Sequence, residues 1–161
     1  MKQAWMDLAD SHGILEHILF TGVVPYEDVP LYISASDICV APFISRRNER
    51  IGLSPLKIYE YLACGRPVVA SKINGITGLL ARSGGGITVM PENPHELAEA
   101  ILYLLQDDSL RRKMGSNGCT YVMTNHTWAK VASNVADVLA GNARDISFPL
   151  DMEILQAKGQ E

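Results

Sequence analysis

No apolar run in this chain approaches the roughly 20 residues that a membrane-spanning helix requires. The N-terminus MKQAWMDLADSHG lacks the build of a secretory leader; it reads as a polar amphipathic helix over residues 2–12, with Ala4, Trp5, Leu8 and Ala9 on one side. Both absences suit a cytoplasmic protein. Charge of one sign is not in large excess either. Fourteen basic against eighteen acidic residues leave a net charge of −4, which argues against wholesale nucleic-acid binding by counterion release. Cysteine is scarce: Cys39, Cys64 and Cys119 are an odd count without metal-ligand spacing, and buried, reduced thiols are expected. His12, His17, His95 and His126 are scattered in the same way, so no metal is expected. Internal repeats and low-complexity linkers are missing too. What is present is a globular composition, 47% hydrophobic and 20% charged over 161 residues, enough for one domain with a real core.

Short continuous apolar runs predict strands at residues 17–22 (HILFTG), 37–43 (DICVAPF) and 68–70, with ITVM (87–90) as a fourth. Between them the pattern predicts a short helix with an acidic start at Glu27 and Asp28, a helix over 56–63, and one helical turn in the glycine-rich NGITGLLARSGGG. From Pro94 onward HELAEAILYLLQD, SLRRKMGSNGCTYVMTNH and TWAKVASNVADVLAG read as three helices, the last starting at Thr127. The stripe Leu97, Ile101, Leu104 and Leu105 should face a core. His95, at a helix start, should lie on the surface. Gly84 to Gly86 precede a strand and do not follow one, so they suit a tight turn and not a dinucleotide fingerprint. Strands alternating with helices define an α/β fold: a Rossmann-like parallel sheet covered on both faces. The domain takes residues 1–141, and 142–161 are a weakly patterned tail.

In such sheets ligands bind beyond the carboxyl ends of the strands. Three loops should gather there, VVPYED, ISRRNERIGLS and KINGITG. The second is the longest and leads into the stretch IGLSPLKIYEYLACGRPVVAS, residues 51–71. There Ser54 is a good N-cap, Pro55 suits the first helical position, Gly65 is a left-handed stop and Pro67 forbids continuation. Arg46, Arg47, Arg50 and Lys57 lie within twelve residues of one another, beside the free N–H groups of 56–58. A helix mouth of this kind can hold a phosphate. By spacing alone Lys57 and Glu60 also fit a solvent-facing i,i+3 pair worth about 0.2–0.5 kcal/mol, and the arginines a solvated loop. Asp37 at a strand start lacks the acidic pair that a phospho-acceptor site would need.

The ordered series FTGVVPYEDVPLYISASDICVAPF, GLSPLKIYEYLACGRPVVAS, GGGITVMPENPHELAEAILYLLQDDSLRRKMGSNG and HTWAKVA resembles the C-terminal, nucleotide-sugar-binding domain of retaining GT-B glycosyltransferases of the large family 4, group 1 class. The likeness runs from about residue 2 to 140 and starts after the first two strands of that domain. It implies hexosyl transfer from a UDP- or GDP-sugar, which is substrate and not cofactor, with an acceptor half supplied by an N-terminal domain or a partner chain. Arg50, Gly52, Leu53, Ser54, Pro55, Leu56 and Lys57 would hold the diphosphate and sugar, with Lys57 and Glu60 carrying the catalytic roles. Glu60 would hold the ribose hydroxyls, an apt task for a carboxylate that accepts two hydrogen bonds. Val23, Val24 and Tyr26 would lie near the nucleobase. Where the commoner family pattern has a first glutamate, this chain has Gly52, with Glu49 three residues earlier. Relatives often act on lipid-linked acceptors, so peripheral membrane association stays open. The alternative is a non-catalytic interaction module or remnant derived from such a transferase.

Overall fold

Three parallel strands, β1 (Cys39–Ala41), β2 (Val68–Ser71) and β3 (Gly86–Val89), lie side by side in chain order in the computed structural model, which describes residues 2–44 and 56–141. Cys39 stands opposite Val68, and Val68 opposite Gly86. The helices are α1 (Lys2–Ser11), α2 (Val29–Ser34), α3 (Leu56–Ala63), α4 (Ile76–Ser83), α5 (Pro94–Gln106), α6 (Asp108–Asn125) and α7 (Trp128–Leu139). Single 3-10 turns cover Leu15–His17 and Tyr26–Asp28.

The central strand explains the two layers of helix. All four residues of β2 are buried, because their side chains alternate between two covered faces. Val68 and Ala70 pack with Ile58 and Leu62 of α3, Leu79 and Leu80 of α4 and Val122 of α6. Val69 packs on the other face with Ala100 and Leu104 of α5, flanked by Leu97 and Ile101. Each fully buried Ile or Leu contributes on the order of 1.5–3 kcal/mol by leaving water. The helix ends follow local chemistry. Thr127 caps α7 by accepting from the Lys130 N–H at 3.2 Å, and Gly65 ends α3 with φ 69°.

Four expectations are corrected. Residues 17–22 form no strand: Leu15–His17 turn, and the following residues are irregular, with Leu19 85% exposed. A strand needs a neighbour to take its N–H and C=O groups, and among the described residues none lies beside this segment. The sheet therefore has three described strands and not four. The glycine-rich stretch carries more than one turn, since α4 spans eight residues. Gly75, at φ 84°, makes the sharp entry, and burial of Ile76, Leu79 and Leu80 holds the helix beyond it. Leu105, finally, is half exposed, because Leu97, Ile101 and Leu104 already fill the face turned to β2. His95 is at the surface as expected, its Nδ1 3.4 Å from the Glu99 carboxylate.

Glu92 is the one described non-glycine residue with positive φ, at 57°, in an exposed turn between β3 and α5. Left-handed backbone costs an L-residue about 1–2 kcal/mol, partly offset in glycine by its freer unfolded state. Glu92→Gly is therefore expected to stabilise the fold by about 0.5–1 kcal/mol. A urea midpoint that falls would show that the Glu92 side chain holds the turn in some other way.

Candidate functional site

Helix α3 is set by Ile58 and Leu62, one turn apart and both fully buried against the sheet. That rotation turns Lys57 and Glu60 to the opposite side, Lys57 exposed and Glu60 half-buried. The two do not pair with each other. The Lys57 ammonium instead lies 5.1 Å from the centroid of the Phe43 ring, a cation–π contact worth about 0.5–1 kcal/mol at an exposed site. Phe43 follows β1, and its N–H donates to the Ser71 hydroxyl at the end of β2 over 2.8 Å. Ser71 is buried, so this bond fixes the loop after β1 to the neighbouring strand. Lys57 is thereby tethered at the carboxyl edge of the sheet, where a ligand of this fold type would sit.

Among the described residues three helices start at that edge, and two of their mouths are filled by the chain itself. At α5, Asn93 Oδ1 accepts from the Glu96 N–H at 3.1 Å, while the Glu96 carboxylate accepts from the Met90 N–H at 3.1 Å and from Asn93 Nδ2 at 3.2 Å. This cap puts a negative charge where an anion would have to sit. At α4, the Ile73 carbonyl accepts from the N–H groups of Ile76 and Thr77 at 3.1 and 3.0 Å. At α3 the N–H groups of Leu56, Lys57 and Ile58 precede the first intrahelical bond and have no partner among the described residues. The positive end of the α3 dipole adds to the Lys57 charge there. A cavity of about 190 Å³ opens on the same edge between Pro42, Ser71, Met90 and Leu97.

The mouth end of α3 is also braced by rings. His126, the residue after α6, lies 4.9 Å from the Tyr59 ring and 5.3 Å from the Tyr121 ring, centroid to centroid. Arg82 of α4 donates through Nε to the Tyr121 hydroxyl at 3.2 Å. Burial first, and the Arg82 charge second, hold the imidazole pKa below its usual value. Around the amino end of the sheet, burial and then the neighbouring Cys64 push the Cys39 thiol up to about 11, against the pull of Arg66. All three cysteines are free thiols, and Cys39 is buried, as its apolar strand pattern implies.

Of the residues expected at the site, Leu56, Lys57 and Glu60 stand on α3 at the carboxyl edge. Arg50, Gly52, Leu53, Ser54 and Pro55, with Arg46, Arg47 and Glu49, lie outside the described residues. Val23 and Tyr26 are exposed and Val24 half-buried; no hydrogen bond, ion pair or ring contact joins them to α3 among the described residues. Sequence reasoning missed Phe43, Ser71, Tyr59 and His126. Their partners are far along the chain, and only the HTWAKVA stretch hinted at the last.

A parallel sheet wrapped by helices on both faces, with a lysine-bearing helix starting at its carboxyl edge, defines a Rossmann-like fold. Residues 2–120 match the model of the glycosyl transferases group 1 family, and the chain belongs to that family. It is 31% identical over 141 residues to the alpha-D-kanosaminyltransferase of Streptomyces kanamyceticus, covering 88% of this chain and 34% of that protein. It is 28% identical over 139 residues to a GDP-mannose-dependent phosphatidylinositol monomannoside mannosyltransferase of Mycobacterium tuberculosis, covering 84% and 35%. The sucrose-phosphate synthase of Thermosynechococcus elongatus superposes with TM-score 0.76 at 26% identity, over 86% of this chain and 33% of that one. Anabaena HepE, solved in complex with UDP, gives 0.72 at 22% identity, over 86% and 36%. The chain thus spans about a third of the length of these relatives. Its architecture is that of one half of a GT-B glycosyltransferase. Among the described residues no helix is long and apolar enough to cross a membrane.

Proposed function

We propose that this chain is the donor-binding half of a retaining glycosyltransferase that moves a hexose from a UDP- or GDP-sugar, with the acceptor half in an N-terminal domain or a partner chain. The observation that carries the reading is the α3 mouth: the N–H groups of Leu56, Lys57 and Ile58, without a partner among the described residues, lie beside a tethered lysine, while the mouths of α4 and α5 are filled. In this scheme the amides of α3 and Lys57 hold the diphosphate and stabilise the charge that grows on it as the sugar departs. Arg50 and residues 52–55 complete the grip, Glu60 holds the ribose hydroxyls, and Val23, Val24 and Tyr26 border the base. The scheme requires no nucleophile from the chain. The setting proposed is cytoplasmic.

Calorimetric titration of the folded chain with UDP, GDP and ADP tests this reading. Saturable binding of one of them is expected, weakened about tenfold or more in Lys57→Ala, as loss of a charge-assisted contact implies. Glu60→Ala should weaken it severalfold. Affinities unchanged in both variants would remove the site assignment. A second reading, an interaction module, draws on the outer edge of β1, which pairs with no described strand, and on α7, none of whose residues is buried. It gains if no nucleotide binds to a chain that unfolds cooperatively.

A further inference from the structure

Helix α6 lies against α3 in the opposite sense and touches it at both ends. At the far end, the α-carbon of Gly115 faces the Gly65 carbonyl so closely that there is no room for a side chain. One turn on, Gly118 faces the Leu62 side chain, and Val122 then enters the same core as Ile58. At the mouth end the contact is a titratable ring. His126 packs on Tyr59, which sits between Lys57 and Glu60 in the chain, and its Nε2 is buried without a hydrogen-bond partner.

Among the described residues the groups facing that ring are Tyr59 from α3, Tyr121 from α6 and the Arg82 guanidinium from α4. No carboxylate among the described residues is in ion-pair range of it. A proton added to His126 therefore finds no carboxylate among the described residues and acquires a like charge as neighbour, against which the two tyrosine faces offer only a weak cation–π contact. The backbone contact at Gly115 is untouched by the same event. Protonation thus acts on one end of α3 and spares the other.

We propose that His126 is a positioning residue of the site: its neutral ring holds the mouth end of α3, and protonation releases that end and loosens the grip on an anionic nucleotide. The effect on the nucleotide rests on the donor-site reading; the effect on α3 does not. Because the folded imidazole is held below its unfolded value of about 6.5, the stability it confers is complete above that pH and is lost as pH falls towards the folded pKa.

The test compares the wild-type chain with His126→Phe, which keeps a ring and cannot take a proton. Hydrogen-exchange protection of the Glu60 and Tyr61 amides, relative to Gly65 and Arg66, is followed between about pH 7.5 and about pH 5.5, the range in which histidine changes charge. UDP and GDP are titrated at the same two values. In the wild type the protection ratio and the nucleotide affinity should each fall about fivefold more than in the variant, a coupling of ordinary size. The comparison cancels the titration of the nucleotide's own phosphate. An equal pH dependence in both proteins, or tighter wild-type binding at low pH, would overturn the proposal. If neither nucleotide binds at neutral pH, the donor-site reading falls, and the exchange ratio alone decides the role of His126. Should His126→Phe fail to fold, His126→Asn removes the same titration.

Discussion

Gly115→Ala is expected to destabilise the protein by about 3 kcal/mol, the upper part of the usual range for overpacking. By helix propensity alone the change should help, since alanine in a helix interior is favoured over glycine by about 1 kcal/mol. Packing decides the sign. A β-carbon on Gly115 would overlap the carbonyl oxygen of Gly65, which is main chain at the end of α3 and has no rotamer to move to. Gly118→Ala, one turn along, offers the contrast. Its β-carbon would lie 2.6 Å from Leu62 Cδ2, the tip of a side chain and not main chain, with the nearest backbone atom, Gly85 Cα, farther off at 3.3 Å. Gly118→Ala should therefore cost clearly less. Thermal unfolding measures both, with a drop of roughly 6–12 °C expected for Gly115→Ala in a chain of this size. Equal costs at the two positions would mean that α6 shifts bodily, and that the fixed contact with Gly65 is not what sets its distance from α3.

Leu62→Ala is the second large effect, about 4 kcal/mol by the range for buried leucines. Leu62 is fully buried and fills the space between α3, Gly85 and Gly118. Two of those neighbours are glycines, which have no side chain to turn into the hole. The site can collapse little, and the cost should lie high in the range. The double variant Leu62→Ala with Gly118→Ala should be less destabilised than the sum of the two, because the new methyl enters the vacated volume. A double-mutant cycle in urea measures the difference, expected at about 1 kcal/mol. Strict additivity would show that the two residues do not share that space.

The sheet itself was legible where burial on both faces left a continuous apolar run. Val68 to Ala70 is such a run, ITVM marks β3 although only Val89 of it is buried, and DICVAPF holds β1 at its centre. The three late helices were legible as segments, α5 from its apolar period and α7 from its start at Thr127. HILFTG has the same local character as β1 and yet forms no strand, because pairing depends on a neighbour that a local pattern does not supply. The helix in NGITGLLARS was hidden by its glycines, although Leu79 and Leu80 pack it firmly. At the site, the series of motifs and the cap chemistry pointed to α3, Lys57 and Glu60. The groups that hold α3 in place did not show. Phe43 and Ser71 are 28 residues apart and Tyr59 and His126 farther, and neither pair has a spacing that marks it.

The order of the strands has a consequence for the way the chain is made. β2 pairs with β1 and β3 with β2, so the described strands lie in the sheet in the order in which they are synthesised. Helix α3 emerges between the first two strands, but the elements that clamp it, from Gly115 to His126, follow much later. The nascent chain therefore carries a sheet before it carries a fixed helix mouth. A chain cut before residue 115 would carry all three strands with α3 still unclamped, and the clamp is complete only with His126.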